Sequence, residues 1–199
     1  ITGKIQTLFS QYAKSYSGQT GWEARLYAPS RYLIVNVPQI SNSVQIQLVQ
    51  NTVTGAWCQF SNINAGCWGV ANDKLFFGGN AGVVYQADTG YQDNGSAINF
   101  EVQTAWQMPG GAFNKYFSLV APHMLTGSGV AYAVGVDVDF YTQTPTGTIS
   151  ASSTTGSTWP TTWPGTWGGQ NTVSQGFASV GAIGTWASMH LKGAIRGGP

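Results

Sequence analysis

Between Arg31 and Asp88 the chain spells RYLIVNVP, QLVQNTVTGAWCQF, CWGV and KLFFGGNAGVVYQAD in succession, each segment short, rich in β-branched and aromatic residues, and bounded by Gly, Asn, Asp or Pro. Segments of that composition and length are strands with their turns. Their order predicts one antiparallel sheet unit, and short strands closing on a Gly-rich hairpin follow the pattern of a β-propeller blade. A propeller more often presents contacts than performs turnover. The first question about this chain is therefore what it holds.

Composition supports an all-β architecture. The 199 residues include 27 Gly, 8 Trp, 9 Tyr and 9 Phe, a turn-rich and aromatic mixture that suits sheets better than helices. Charged residues make up 8%, against roughly 25% in an ordinary soluble domain. Much of the surface must then be neutral Thr, Ser, Asn, Gln and Gly, which a neighbouring subunit can cover at little desolvation cost. The formal net charge of +1 gives no field for recruiting nucleic acid or an anionic membrane, both of which need clustered Lys and Arg. No stretch approaches the roughly 20 apolar residues of a membrane span, and no charged region followed by an apolar core opens the chain. The start at Ile1, without Met, reads as that of a C-terminal fragment of something longer.

The opening ITGKIQTLFSQYAKSY is the one helical segment: Ile1, Ile5, Leu8, Phe9, Tyr12 and Tyr16 recur at helical spacing, and Gly18 supplies a stop. Gly3-Lys4 does not complete a phosphate-binding loop, because Ile5 stands where Ser or Thr is required. Thr54-Gly55, Gly78-Gly79-Asn80 and Asp93-Asn94-Gly95 are turn signals. A boundary is placed near Tyr91 to Gly95, giving a helix plus blade-like region over 1–95 and a C-terminal β domain over 96–199. In the latter, strands are expected over Ala97 to Gln107, Tyr116 to Ala121, Val130 to Tyr141 and Phe177 to Ile195, in a β-sandwich or jelly-roll-like arrangement. Between them, 142–170 reads as a long Trp-, Pro- and Thr-rich loop.

That loop carries Trp159, Trp163 and Trp167, each four residues from the next, while Pro160 and Pro164 exclude a helical reading. Exposed Trp rings stack on sugars or fill partner pockets, so these three are candidate interaction residues; rings folded back to cover the sheet are the competing account. Asp137 and Asp139 in AVGVDVDFYT are the best catalytic pair, about 6.5 to 7 Å apart on one strand face, near the lower limit for inverting glycosidases. The wet side of a half-buried strand is the preferred reading, because nothing nearby in sequence would split the two carboxyl groups. His123 follows Pro122 like a strand end, and His190 alternates as a packed or surface residue. Asp73, Asp88 and Asp93 stand beside Gly or Asn or near them, as turn-capping carboxylates do. Cys58 and Cys67 lack metal-site spacing; a disulfide across the SNINAG loop is geometrically open, but buried thiols in a sheet are the preferred expectation. No metal, cofactor or catalytic set is expected.

The succession GWEARLYAPSRYLIVNVP, NTVTGAWCQF, CWGVANDKLFFGGNAGVVYQADTG and YQDNGSAINFEVQTAW resembles the propeller-bearing tail proteins of bacteriophages and prophages, the group of tail nozzle and head-to-tail stabilisation proteins of short-tailed phages. The resemblance is close over the first half of the chain and looser beyond it. It implies a structural, non-enzymatic virion subunit, made in the bacterial cytoplasm and assembled as a symmetric ring around the DNA exit channel. Its partners would be copies of itself and neighbouring tail or portal-adaptor proteins. This chain would supply the final blade region and a C-terminal β domain. Two other functions are set beside it: a carbohydrate-binding module using Trp159, Trp163 and Trp167, and a glycoside hydrolase using Asp137 and Asp139.

Overall fold

The computed structural model describes residues 3, 5–126, 130–150 and 172–195. The chain is mostly β, its sheets are antiparallel, and none closes into a barrel. It divides into two compact units, Ile1–Thr89 and Gly90–Pro199.

The first unit opens with helix α1 (Gln6–Tyr16). Four strands follow, β1 (Glu23–Tyr27), β2 (Tyr32–Ile40), β3 (Val44–Asn51) and β4 (Trp57–Phe60), joined in sequence order into one meander. Period-two alternation gives this sheet two apolar faces. Val37, Ile46 and Leu48 point to one side, where Leu8, Phe9, Tyr12 and Tyr16 of the helix pack with them. Ile34 and Val49 point to the other and meet Ala65, Trp68 and Leu75. Those three belong to a second, three-stranded sheet of β5 (Ala65–Ala71), β6 (Lys74–Gly79) and β7 (Val84–Ala87).

The Arg31 to Asp88 run is thus not one sheet. It breaks between Phe60 and Ala65, where Asn62 adopts a positive φ of 67° and the chain leaves the first sheet for the second. The break is held from both sides. Glu23 accepts from the Trp68 backbone N–H at 2.8 Å, Arg25 donates to the Trp68 carbonyl at 3.0 Å, and the Tyr27 hydroxyl donates to the Asp73 carbonyl at 3.0 Å. Turn chemistry at the β5–β6 hairpin follows the sequence, with Asn72 and Asp73 both at positive φ, as a two-residue type I′ hairpin requires. The helix differs from expectation at its end: Ser17 remains right-handed, and Gly18 is not among the left-handed residues, so no glycine cap stops it. Cys58 and Cys67 are free and exposed rather than buried, and they sit on strands of different sheets. The Cys58 Sγ lies 3.7 Å from the Val49 carbonyl, and partial burial pushes its thiol pKa up.

On the face turned to the second sheet lies a buried amide cluster. Asn36 and Gln47 are register partners, both fully buried, and the Gln47 amide donates to Asn36 Oδ1 at 2.8 Å and to the Ile63 carbonyl at 2.8 Å. Asn36 in turn donates to the carbonyls of Gly21 at 2.9 Å and Ala65 at 3.0 Å, and accepts from Trp68 Nε1 at 3.3 Å. One side chain therefore ties together β2, β3, the segment before β1 and the start of the second sheet.

In the second unit, β8 (Ile98–Gln103), β11 (Ala131–Val138), β12 (Gly147–Ser150) and β15 (Ala187–Ile195) form a sheet in the order β12-β11-β15-β8. Strands β9 (Lys115–Val120) and β14 (Ala178–Gly184) pair with each other, as do β10 (His123–Thr126) and β13 (Thr172–Gln175). Tyr132, Val134, Ile149, Ala178 and Leu191 make the core between them. The expected strand over 177–195 is interrupted at Thr185 and Trp186, which separate β14 from β15. The loop expected over 142–170 contains strand β12, because Gly147 to Val134 and Ser150 to Ala131 continue the sheet.

Candidate functional site

The four-stranded sheet of the second unit has two unlike faces. Tyr132, Val134 and Leu191 face the core, so the alternate positions, Gly135, Asp137, Ser188, His190, Lys192, Glu101 and Gln103, fall on the opposite face. On it, Asp137 and His190 are almost completely buried, although among the described residues no apolar core cluster lies on that face. Their cover is the segment 139–146. Gly135 lets it approach: a Cβ there would lie 3.2 Å from Pro145 Cα, so only a residue without one fits easily beneath the loop.

His190 is the centre of the constellation. Its Nδ1 lies 3.0 Å from the Gln143 carbonyl and 3.1 Å from Asp137 Oδ2, and its Nε2 lies 2.8 Å from Glu101 Oε1. Both ring nitrogens are thus surrounded by oxygens. Asp137 is equally engaged, accepting from the Gln143 backbone N–H and from Gln103 Nε2, each at 2.9 Å. Beside it a cavity of about 320 Å³ lies against Gln143, Thr144, Pro145 and Thr146 on one side and Val180 to Ile183 on the other. Glu101 is half-exposed at the sheet edge, with Lys192 Nζ at 3.5 Å.

This arrangement corrects the pairing of Asp137 with Asp139. Strand β11 ends at Val138, and Asp139 turns out of it with φ of 49°, so the two carboxylates do not share a strand face. Asp139 instead accepts the backbone N–H groups of Thr185 and Trp186, each at 2.9 Å. Asp137 is not on a wet side either, because the 139–146 segment covers it. Nor does His190 address a nucleophile: the Ser188 hydroxyl donates to the Thr104 carbonyl at 2.6 Å, and Thr104 Oγ1 accepts from the Met189 N–H at 2.9 Å. Among the described residues, no group of three or more His, Cys, Asp or Glu is placed to hold a metal ion. His123 is exposed at the first position of β10. Asp137 and His190 hydrogen-bond the backbone of Gln143 and so tie its segment to the sheet.

The hydrogen bond from His190 holds the Glu101 carboxyl below the usual carboxylate range; slight burial opposes this and the Lys192 charge adds to it. A depressed folded pKa contributes stability above the unfolded glutamate pKa and loses it as pH falls through the folded one. The melting-temperature gap between wild type and Glu101→Gln is therefore expected to be largest at neutral pH and to close on acidification through the carboxylate range, as read by circular dichroism. The gap will be small, since Glu101 is half in solvent. A gap that stays constant to the acid side of that range would refute the linkage.

A second cluster lies at the end of the same sheet. Trp106, Phe140 and Trp186 form a row, with ring centroids 4.9 Å apart for the first pair and 5.5 Å for the second. Phe140 is 62% exposed and Trp186 36%. Asp139 and Phe140 are the central residues of a turn closed by Tyr141 N–H donating to the Val138 carbonyl at 2.9 Å, and both have positive φ, 49° and 64°. A left-handed phenylalanine costs on the order of 1–3 kcal/mol, and the Asp139 contacts to Thr185 and Trp186 are what hold it. The same unit contains the relaxed version: Asn94-Gly95, at φ 47° and 87°, with Asp93 and Ser96 exchanging backbone hydrogen bonds.

Trp159, Trp163 and Trp167 lie outside the described residues. Sequence reasoning missed Glu101, Gln103 and Gln143 as partners of His190, and Trp106, Phe140 and Trp186 as neighbours. Their separation is the reason; Glu101 and His190 are 89 residues apart. The one local signal was Asp-Phe in a position where a tight turn prefers Asp-Gly.

No family model, curated protein or solved structure matches the chain. What the fold and the site define is a mostly β, antiparallel protein in which Asp137 and His190 hydrogen-bond a loop segment to the sheet.

Proposed function

We propose that this chain is a structural subunit of a phage tail or head-to-tail connector, working by contact with copies of itself and with neighbouring tail proteins in a ring around the DNA exit channel. The observation that carries the reading is the sheet of β9 and β14. Among the described residues, these strands pair only with each other, and Tyr116, Leu119 and Ile183 on them are 65%, 60% and 63% exposed. Tyr116 and Ile183 are direct cross-strand partners. A short sheet with open edges and exposed large apolar side chains is built for strand addition or burial by another subunit. The scarcity of charge favours the same use, since neutral surfaces lose little on being covered.

Within this reading, the β1–β4 meander is the last blade of a propeller completed by other segments, and the second unit is a β-sandwich-like module. The ordering of sequence words that resembles tail nozzle proteins supplies the virion assignment. The His190 cluster supports a role without turnover, because its polar atoms are already engaged with one another.

The protein at virion-like concentration is expected to form rings, sixfold in symmetry, visible by electron microscopy and by light scattering. Tyr116→Lys with Ile183→Lys should abolish them while leaving circular dichroism unchanged. A wild-type protein that stays monomeric at those concentrations and is missing from purified particles would overturn the proposal.

A further inference from the structure

We propose that Trp106, Phe140 and Trp186 form a binding site for a neutral saccharide. The rings adjoin the end of the β9–β14 ladder used by the assembly proposal, but the inference rests on the rings themselves and does not depend on that proposal.

The three rings are preorganised. Trp106 and Trp186 flank the bridge in which Gln107 and Ala187 exchange backbone hydrogen bonds at 2.8 and 2.9 Å. Phe140 stands between their rings, its turn fastened by the Asp139 N–H donating to the Trp186 carbonyl at 3.0 Å and by the Trp186 N–H donating back to Asp139 Oδ1. Interplanar angles of 41° and 43° make a fan of tilted faces rather than a closed stack. Binding to such a surface loses little side-chain freedom, because the rings are already ordered.

Phe140 indicates that the rings are there to be used. A left-handed position in a tight turn is where glycine is least strained, and this chain uses glycine in the equivalent turn at Asn94-Gly95. The strained residue is also largely exposed, so core packing does not account for it. Strain retained at an exposed aromatic points toward a ligand.

The surroundings select the ligand. Aromatic faces meet the C–H faces of a pyranose, and planar amide and carboxylate groups beside them meet its hydroxyls. Asp139 supplies the carboxylate, and Asn114 supplies the amide, its Oδ1 accepting from the Thr185 hydroxyl at 3.0 Å. The Asp139 carboxylate disfavours an acidic sugar by like-charge repulsion, which leaves a neutral one.

The test uses the full chain with cellohexaose, maltohexaose and triacetylchitotriose as probes, followed by saturation-transfer NMR and calorimetric titration. Wild type is expected to bind at least one with micromolar to millimolar affinity. Phe140→Gly should weaken that binding by about tenfold or more, the scale of a lost aromatic stacking partner, while its melting temperature is unchanged or higher because the backbone strain is relieved. Trp186→Ala should weaken the same titration comparably. No binding of any probe by wild type overturns the proposal, and so does undiminished binding by Phe140→Gly. Concentration-dependent self-association that Phe140→Gly abolishes, without saccharide binding, would assign the rings to contact between copies and overturn it as well.

Discussion

Replacing His190 with leucine is expected to destabilise the second unit by about 3 kcal/mol, because each buried polar group left without its partner costs about 1–3 kcal/mol. His190 and Asp137 are buried to within a few per cent of completely, and three oxygens face the ring. Leucine would leave the Gln143 carbonyl and Asp137 Oδ2 without the ring nitrogen that faces them. Asp137 keeps its bonds from Gln103 and the Gln143 N–H, which is why the upper part of the range is not expected. Glu101 is half-exposed and would be rehydrated at little cost. Urea denaturation monitored on this unit should show a lower midpoint with an unchanged slope. The double variant His190→Leu with Asp137→Leu should be less unstable than the two single losses added together, since a wholly apolar replacement leaves no orphaned charge. A single-variant effect below about 0.5 kcal/mol, the size of an ordinary surface change, would show that the cluster does not fasten the loop.

Asn36→Ala should have a comparable effect on the first unit. Its amide satisfies the Gly21 and Ala65 carbonyls and receives the Gln47 amide and Trp68 indole. Each buried polar group left without a partner costs about 1–3 kcal/mol, so a loss of about 3 kcal/mol or more is expected even if some groups find new bonds. Asn36→Leu is the informative companion. If volume were what mattered, leucine would restore stability; if the hydrogen bonds matter, it will be as poor as alanine. Trp68 packs in the core and donates to Asn36, so its fluorescence reports the same transition directly.

How far the sequence could be read follows from the distance over which each feature is written. The Asn72-Asp73 and Asn94-Gly95 turns, the strands around Tyr32 and Val44, and the amphipathic helix depend on neighbouring residues, and local chemistry is enough to specify them. The division of the Arg31 to Asp88 run into two sheets was not legible, because strand text says that a segment is extended and not which edge it joins. The burial of Cys58 and Cys67 was misjudged for a related reason: alternation shows that two faces differ, but which of them is covered depends on an element elsewhere in the chain. Asp137 illustrates the same point in reverse. It alternates with valines as a solvent-facing carboxylate would, and it is buried because the 139–146 segment returns over it, with Gln143 six residues on.

The two units also differ in the order in which a growing chain can complete them. Every sheet of the first pairs strands adjacent in sequence, β1 to β2 to β3 to β4 and β5 to β6 to β7. Its contacts close over short loops, the condition for rapid folding. The second unit pairs β8, its first strand, with β15, the last described element, and places β11 between β15 and β12. Its central sheet can form only after synthesis has passed Ile195. On a ribosome, the helix and its meander can be finished while the strands of the second unit wait with their apolar faces uncovered, so that interval is when the chain most needs chaperones or waiting partners.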